Sequence, residues 1–252
     1  MDMNSSAFVK SGGHMDTKPT YRGTPSILIV SNEPATAPVW GYMVRERKLH
    51  AVIETVLQNA TRRCEEERPA LTILDLQLPH AKLLDLCIQA RMACVNPILL
   101  FLPSYDENLI VDCYDTGIDD CLVKPVSPAV FYVKVRSWLR YSKQSPVTAM
   151  ADLQVGNFYL DPELGVLVKK DDDKAIRLTD LEFRLLHLLM SQPDHVFDAN
   201  AIVNQVWGLY GEQDATLIKH VVFRLRRKLG DDPNNPRWIQ TWHGKGYSFR
   251  SQ

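Results

Sequence analysis

Ile27-Leu28-Ile29-Val30, Leu71-Thr72-Ile73-Leu74 and Ile98-Leu99-Leu100-Phe101-Leu102 are short, nearly unbroken apolar runs. Runs of this kind mark strands buried on both faces of a parallel sheet; a strand with one wet face alternates instead. Working outward, helical stretches fall at about 37–47, 58–67, 83–92, 108–116 and 128–141, with further strands around 51–54 and 121–123. Five strands alternating with five helices predict a doubly wound α/β domain with a five-stranded parallel sheet over residues 24–142. In such sheets the chemistry sits beyond the carboxyl ends of the strands, so the residues that follow each strand are where function is sought.

Residues 143–151 are polar, contain Pro146 and lack periodicity, which reads as an interdomain linker. Beyond it, 153–160 and 165–169 alternate like antiparallel strands joined by a turn at 161–164. Thr179 with Glu182 three residues on is a capping box opening a helix to about 191. Two more helices are predicted at about 199–207 and 216–229, then a hairpin of 239–242 with 247–250 around His243-Gly244-Lys245-Gly246. Strands, three helices and a terminal hairpin predict an α+β winged helix-turn-helix over residues 152–252. Residues 1–23 lack an apolar core and are expected to be a disordered leader or a cloning remnant.

Composition bounds the function classes. No run approaches the ~18–20 apolar residues of a membrane span, so a membrane role is excluded. The five cysteines (Cys64, Cys87, Cys94, Cys113, Cys121) are odd in number and contain no C-x-x-C pair. They predict free thiols in a reducing cytoplasm, with neither a disulfide framework nor a zinc site. No Ser/His/Asp or Cys/His arrangement has spacing suited to hydrolysis, and an enzyme is not expected.

Net charge is −1, which argues against nucleic acid until it is resolved along the chain. Residues 151–214 carry 5 basic and 12 acidic residues, net −7, whereas residues 215–252 carry 8 basic and 2 acidic, net +6. On the third helix of the second domain Ile218, Val222, Leu225 and Leu229 form one apolar stripe. Arg224, Arg227 and Lys228 fall away from it, with Arg226 at its margin. A helix presenting arginines after a turn and another helix has the geometry for the DNA major groove. The glycine-flanked tip with His243 and Lys245 then suits the minor groove beside it.

Residues 152–250 resemble the effector domain of OmpR/PhoB-type response regulators. The resemblance is carried by Leu178-Thr179-Asp180-Leu181-Glu182-Phe183-Arg184-Leu185-Leu186, Val206-Trp207-Gly208, Arg224 to Pro233 and Gly244-Lys245-Gly246-Tyr247-Ser248-Phe249. It implies that Arg224 reads a base, that Arg226, Thr241 and Trp207 lie near phosphates, and that residues 208–214 can touch RNA polymerase. Lys219, Phe223, Arg227, Lys228, His243 and Lys245 complete the implied DNA surface. The family's usual wing arginine is His243 here, and a position on the recognition helix that is often basic or polar is Phe223.

Residues 26–141 resemble the receiver domain of the same family, a flavodoxin-like fold. Asp75 matches the phosphoacceptor, and Lys124-Pro125 matches the family's Lys-Pro, usually joined by a cis peptide bond. The rest of that pocket departs from the pattern. Ser31 and Asn32 replace two carboxylates before Glu33, Leu102 replaces a hydroxyl residue, and Cys121 replaces the switch aromatic. Mg²⁺ needs about six oxygen ligands with carboxylates to offset its charge, so weak or absent Mg²⁺ binding is expected. Asp75 then acts as an acid paired structurally with Lys124.

The resemblance also implies a two-fold homodimer through the receiver, with Asp119, Asp120, Lys134 and Arg136 as cross-subunit ion pairs. The leading expectation is a cytoplasmic, dimeric, sequence-specific regulator that binds double-stranded DNA without phosphorylation. The alternatives are a conventional switch phosphorylated at Asp75 by a sensor kinase, and an adaptor whose winged helix meets a protein.

Overall fold

The structure is a computed structural model that describes residues 24–141, 146–170, 174–208, 215–232 and 235–251. Its first domain holds five parallel strands, β1 (Ser26–Ser31), β2 (His50–Glu54), β3 (Leu71–Asp75), β4 (Ile98–Leu102) and β5 (Asp120–Val123), in the order β2-β1-β3-β4-β5. Every residue of β3 and β4 is buried, as their unbroken apolar runs require. The register sets Ser31 beside Asp75 and Asp75 beside Phe101, so the carboxyl ends of β1, β3 and β4 share one edge.

Two helical layers cover the sheet. α1 (Ala37–Glu46) and α5 (Pro128–Tyr141) lie on one face, where Ile27, Ile29, Trp40, Ile73, Phe101, Phe131 and Trp138 belong to one buried cluster. That cluster continues without interruption into the core of the second domain, through Val147, Phe183, Trp207 and Leu225. On the opposite face, α2 (Ala60–Glu67), α3 (His80–Ala93) and α4 (Glu107–Asp115) bury Leu28, Val30, Leu74, Leu100 and Leu102.

A 3-10 turn at Val147–Ala149 with Val147 buried follows the first domain; residues 143–145 of the expected linker lie outside the described residues. The second domain opens with four antiparallel strands, β6 (Leu153–Val155), β7 (Phe158–Asp161), β8 (Val166–Lys169) and β9 (Lys174–Arg177). The sequence suggested two. Gly156, at φ +55°, turns the chain inside the first alternating stretch and divides it. β9 carries two charged residues in four and has no apolar signature.

Next come α6 (Asp180–Ser191), with the anticipated Thr179–Glu182 capping box in place, and α7 (Ala199–Ile202). α7 continues as a π-helical turn over Val203–Trp207. α8 (Ala215–Leu229) and the hairpin of β10 (Ile239–Trp242) with β11 (Gly246–Phe249) complete the domain. Gly246 sits at φ +136°, and a β-carbon there would lie 1.9 Å from the carbonyl oxygen of Phe197, so a side chain is sterically barred.

Cys64 and Cys94 are joined by a disulfide across 30 residues. This corrects the expectation of five free thiols. α2 and α3 pack side by side and bring Cys64, within α2, to Cys94 at the end of α3, a proximity that spacing rules for short motifs do not detect. Cys87, Cys113 and Cys121 are free.

Candidate receiver pocket and nucleic-acid interface

Asp75 ends β3 with no exposed surface. One carboxylate oxygen accepts from Thr36 Oγ1 at 2.6 Å and from Trp40 Nε1 at 2.7 Å; the other accepts from Lys124 Nζ at 2.8 Å. The pairing with Lys124 anticipated from the sequence is present, and Lys124-Pro125 is cis. Thr36 and Trp40 were not anticipated. Thr36 occupies the N-cap of α1, yet its hydroxyl makes no capping bond and serves the carboxylate instead. Trp40 is held above Asp75 by stacking on Phe131 at 5.1 Å and an edge contact with Phe101 at 4.9 Å.

The neighbouring positions are also occupied with internal bonding. Ser31 is buried and accepts the Glu33 amide at 3.1 Å. Asn32 clasps the Gln77 backbone from both sides, donating to its carbonyl at 2.9 Å and accepting from its amide at 2.8 Å. Glu33 uses its backbone carbonyl to start α1. Leu102 is buried in the core, and Cys121 is half-buried against it. A divalent cation needs free oxygen lone pairs converging on one point. Here Asn32 is engaged through both polar atoms and Asp75 accepts three donors, so this donor set does not fit Mg²⁺.

The basic residues of α8 and the hairpin divide into two groups. Lys219, Arg227, Thr241, His243 and Lys245 are exposed, and the Arg227 guanidinium lies 5.9 Å from the ring of half-buried Phe223. The others are committed inside the molecule. Arg226 donates to the Ile239 carbonyl at 2.6 Å and to Thr241 Oγ1 at 2.8 Å, tying α8 to the hairpin. Lys228 bonds Glu182 at 2.6 Å and the Arg177 carbonyl at 2.8 Å. Trp207, expected near phosphates, is buried in the domain core, and its Nε1 has no partner among the described residues.

Arg224 requires the largest correction. Helical periodicity places it on the free face of α8, but it is 5% exposed. Its Nε bonds Glu182 at 3.1 Å within the same domain. Its other two nitrogens cross to the first domain, reaching the Ile118 carbonyl and the Asp119 carboxylate, each at 3.0 Å. Arg91 approaches Asp119 from the far side at 2.9 Å. His220 of α8 stacks on Tyr114 of α4 with ring centroids 3.7 Å apart. α8 is therefore docked on the first domain.

Electrostatics fit this cluster. Burial is the largest influence on Glu182 and would raise its pKa, but Arg224 and Lys228 together hold it below the ordinary carboxylate value. Burial likewise pulls down on Arg224, and Asp119 and Glu182 outweigh it to leave its pKa raised. Arg91 is lowered, by burial first, although Asp119 opposes the shift. Buried Arg224 and partly exposed Arg91 and Lys228 thus pair with the buried carboxylates of Asp119 and Glu182 across the domain boundary.

The residues assigned to cross-subunit ion pairs have partners inside one chain. Asp119 bonds Arg91, Arg224 and the Ile98 amide, and Asp120 bonds Lys134 at 3.0 Å and Trp138. Arg136 lines an apolar hollow with Arg47, Tyr132 and Leu139. Residues 209–214, the implied polymerase contact, lie outside the described residues.

Comparisons with known proteins agree with this architecture. Residues 27–136 match the response regulator receiver domain family, and residues 173–249 match the family described as transcriptional regulatory protein, C terminal. The DNA-binding response regulator MtrA of Mycolicibacterium smegmatis is 31% identical over 221 residues, covering 88% of this chain and 95% of that protein. The phosphate regulon transcriptional regulatory protein PhoB of Rhizobium meliloti is 32% identical over 232 residues, covering 90% of this chain and 99% of its own. A solved structure of a RitR mutant shares the fold with a TM-score of 0.73 at 17% identity, covering 90% of this chain and 99% of that one. With both domains matched in order and relatives covered almost end to end, the chain belongs to the OmpR/PhoB family of DNA-binding response regulators.

Proposed function

We propose that this chain is a cytoplasmic, sequence-specific transcription regulator that binds double-stranded DNA and works without phosphorylation at Asp75. The carrying observation is the fully buried Asp75 carboxylate, whose oxygens accept from Thr36, Trp40 and Lys124. Phosphoryl transfer needs an accessible oxygen in line with the donor, and cations to stabilise the charge on the transferred group. A sensor kinase acting here would first have to break three hydrogen bonds and displace Trp40. Asp75 serves instead as the keystone joining α1 and β3 to the loop after β5. No enzymatic role is assigned to the chain.

In the DNA-bound form Arg224 reads a guanine edge, Lys219 and Arg227 flank it on phosphates, and His243 and Lys245 reach the next minor groove. Arg226 positions Thr241 for the backbone. A homodimer through the receiver places two effector domains on tandem half-sites about one helical turn apart. RNA polymerase is the further partner this reading expects.

The test is selection of bound fragments from genomic DNA with the wild type and with Asp75→Ala. Both are expected to select the same sites and to lose affinity steeply with salt, because neutralised phosphates release counterions. Incorporation of phosphate from a small donor that changes site affinity, and is abolished in Asp75→Ala, would replace this reading with a phosphorylation switch. Retention that is equal at ~50 and ~500 mM salt would remove the DNA-binding role itself. An adaptor would be recognised by a partner whose binding survives Arg224→Ala.

A further inference from the structure

Cys64 lies within α2 and Cys94 follows α3, and both residues are nearly buried, at 5% and 2% exposure. They nevertheless border an opening. A cavity of about 720 Å³ has Cys64, Cys94 and Asn96 of the receiver on one side and Arg177, Asp180 and Arg184 of the winged-helix domain on the other. The disulfide therefore sits at the domain boundary, within reach of a small oxidant or reductant entering between the domains.

A chain of direct contacts leads from this bond to the recognition helix. Arg91 donates through one nitrogen to the carbonyl of Cys94 and to that of Asn96 at 2.8 Å. Its other terminal nitrogen bonds the Gly117 carbonyl at 3.3 Å and Asp119 at 2.9 Å. Asp119 in turn holds Arg224 at 3.0 Å. Gly117 leaves the room this requires: a β-carbon there would come within 2.6 Å of the Arg91 side chain. The loop that the disulfide pins is thus the loop whose carbonyls fix Arg91, and Arg91 is the partner that sets Asp119 for Arg224.

We propose that Cys64 and Cys94 form a redox-modification site, in which the disulfide keeps α8 docked on the receiver and its reduction releases Arg224 for DNA. The inference rests on the DNA-binding reading above for its output, but not for its chemistry. A dithiol reductant attacks one sulfur, the Cys64–Cys94 bond breaks, and a mixed disulfide forms. The second thiol of the reductant resolves it. Two electrons and two protons pass to the protein as two Cys thiols, and the reductant leaves as its own disulfide. In the reverse direction one thiolate attacks hydrogen peroxide, the O–O bond breaks with hydroxide leaving to take up a proton as water, and the sulfenic acid condenses with the other thiol to release a second water. The free cysteines are poorer candidates: Cys87 and Cys113 have no exposed surface, and burial pushes the thiol of half-buried Cys121 up.

The experiment uses the full chain treated with hydrogen peroxide or with a dithiol. Free thiols are alkylated and peptides mapped, and hydrogen exchange of α8 amides is measured beside retention of a selected DNA fragment. A Cys64–Cys94 cross-linked peptide is expected after peroxide and its loss after dithiol. The reduced form should show about tenfold faster exchange in α8 and about tenfold tighter DNA binding, since affinity scales with the fraction of molecules that are open. Cys64→Ser and Cys94→Ala should behave as reduced under both treatments, and Cys87→Ala should switch normally. Arg91→Met keeps the disulfide but cuts the chain of contacts, so α8 should exchange fast whatever the redox state.

Absence of the cross-link, resistance of the cross-link to dithiol, or identical α8 exchange in both states overturns the inference. A redox-dependent change in α8 exchange with no DNA bound in either state supports the switch and removes the DNA-binding reading instead.

Discussion

Replacing Asp75 by Asn separates a structural carboxylate from a phosphoacceptor, and its effect can be worked from the contacts. The amide is isosteric, so no cavity forms. Its oxygen can still accept from Thr36 Oγ1 and Trp40 Nε1, now 2.6 and 2.7 Å from the carboxylate. Its NH₂ group must then face Lys124 Nζ, which stands 2.8 Å from the other carboxylate oxygen. Two donors meet where a charge-assisted bond existed. Breaking a buried ion pair from one side costs about 3–5 kcal/mol. Lys124 retains 20% side-chain exposure and can turn toward water, which lowers the penalty to about 2–4 kcal/mol. For a chain of this size that corresponds to a fall of roughly 4–16 °C in Tm. Thermal melts followed by circular dichroism read the loss, and retention of a selected DNA fragment at 20 °C reads function. Stability should fall while the folded protein keeps its site preference. A variant as stable as wild type, or a folded variant that no longer retains the DNA, would refute the argument that this carboxylate works as a keystone.

Further outcomes follow from the same contacts. The folded-state pKa of Glu182 is depressed, so its contribution to stability is complete above its unfolded value and disappears as pH falls through the folded one. Acid titration of stability should therefore lose a contribution below the usual carboxylate range, and Glu182→Gln should flatten that limb; an unchanged limb contradicts the assignment. Arg224→Ala should weaken specific DNA retention by about 1–3 kcal/mol and relax preference at one base pair, whereas Lys245→Ala should weaken all sequences alike and lower the salt slope by about one. Competition binding across a salt series distinguishes them, and a sequence-blind effect of Arg224→Ala would dismiss it as a base reader. Gly246→Ala places a methyl group 1.9 Å from the Phe197 carbonyl at φ +136°, so a loss of about 3 kcal/mol or more is expected, and an unaltered melt would contradict the steric account.

Much of the fold is legible because its signals are local. The buried strands declare themselves as unbroken apolar runs, the predicted 98–102 and 128–141 segments coincide with β4 and α5, and Thr179 with Glu182 marks the start of α6. What escaped is non-local. Nothing around Trp40 distinguishes an indole that donates to Asp75 from one that merely fills the core, since the partner lies 35 residues away. Cys64 and Cys94 meet because two helices on one sheet face run side by side, a relation set by topology. Arg224 falls on the open face of its own helix, and periodicity cannot register that another domain covers that face. β9 was invisible for a different reason: it is a mostly exposed strand without the apolar alternation that pattern reading requires.

The docking of α8 has a thermodynamic corollary. One guanidinium cannot occupy the Asp119 carboxylate and a DNA groove at once, so receiver and operator compete for the same side chain. Linkage makes that competition reciprocal. Whatever factor the closed receiver takes from operator affinity, the operator must take from closure, and with Arg224 withdrawn the surface carrying Tyr114, Ile118 and Asp119 opens to other contacts. DNA then acts as an effector of the receiver as well as its target. A second molecule arriving at an adjacent half-site would meet a partner already opened by the first, and cooperativity between half-sites would arise without any input signal.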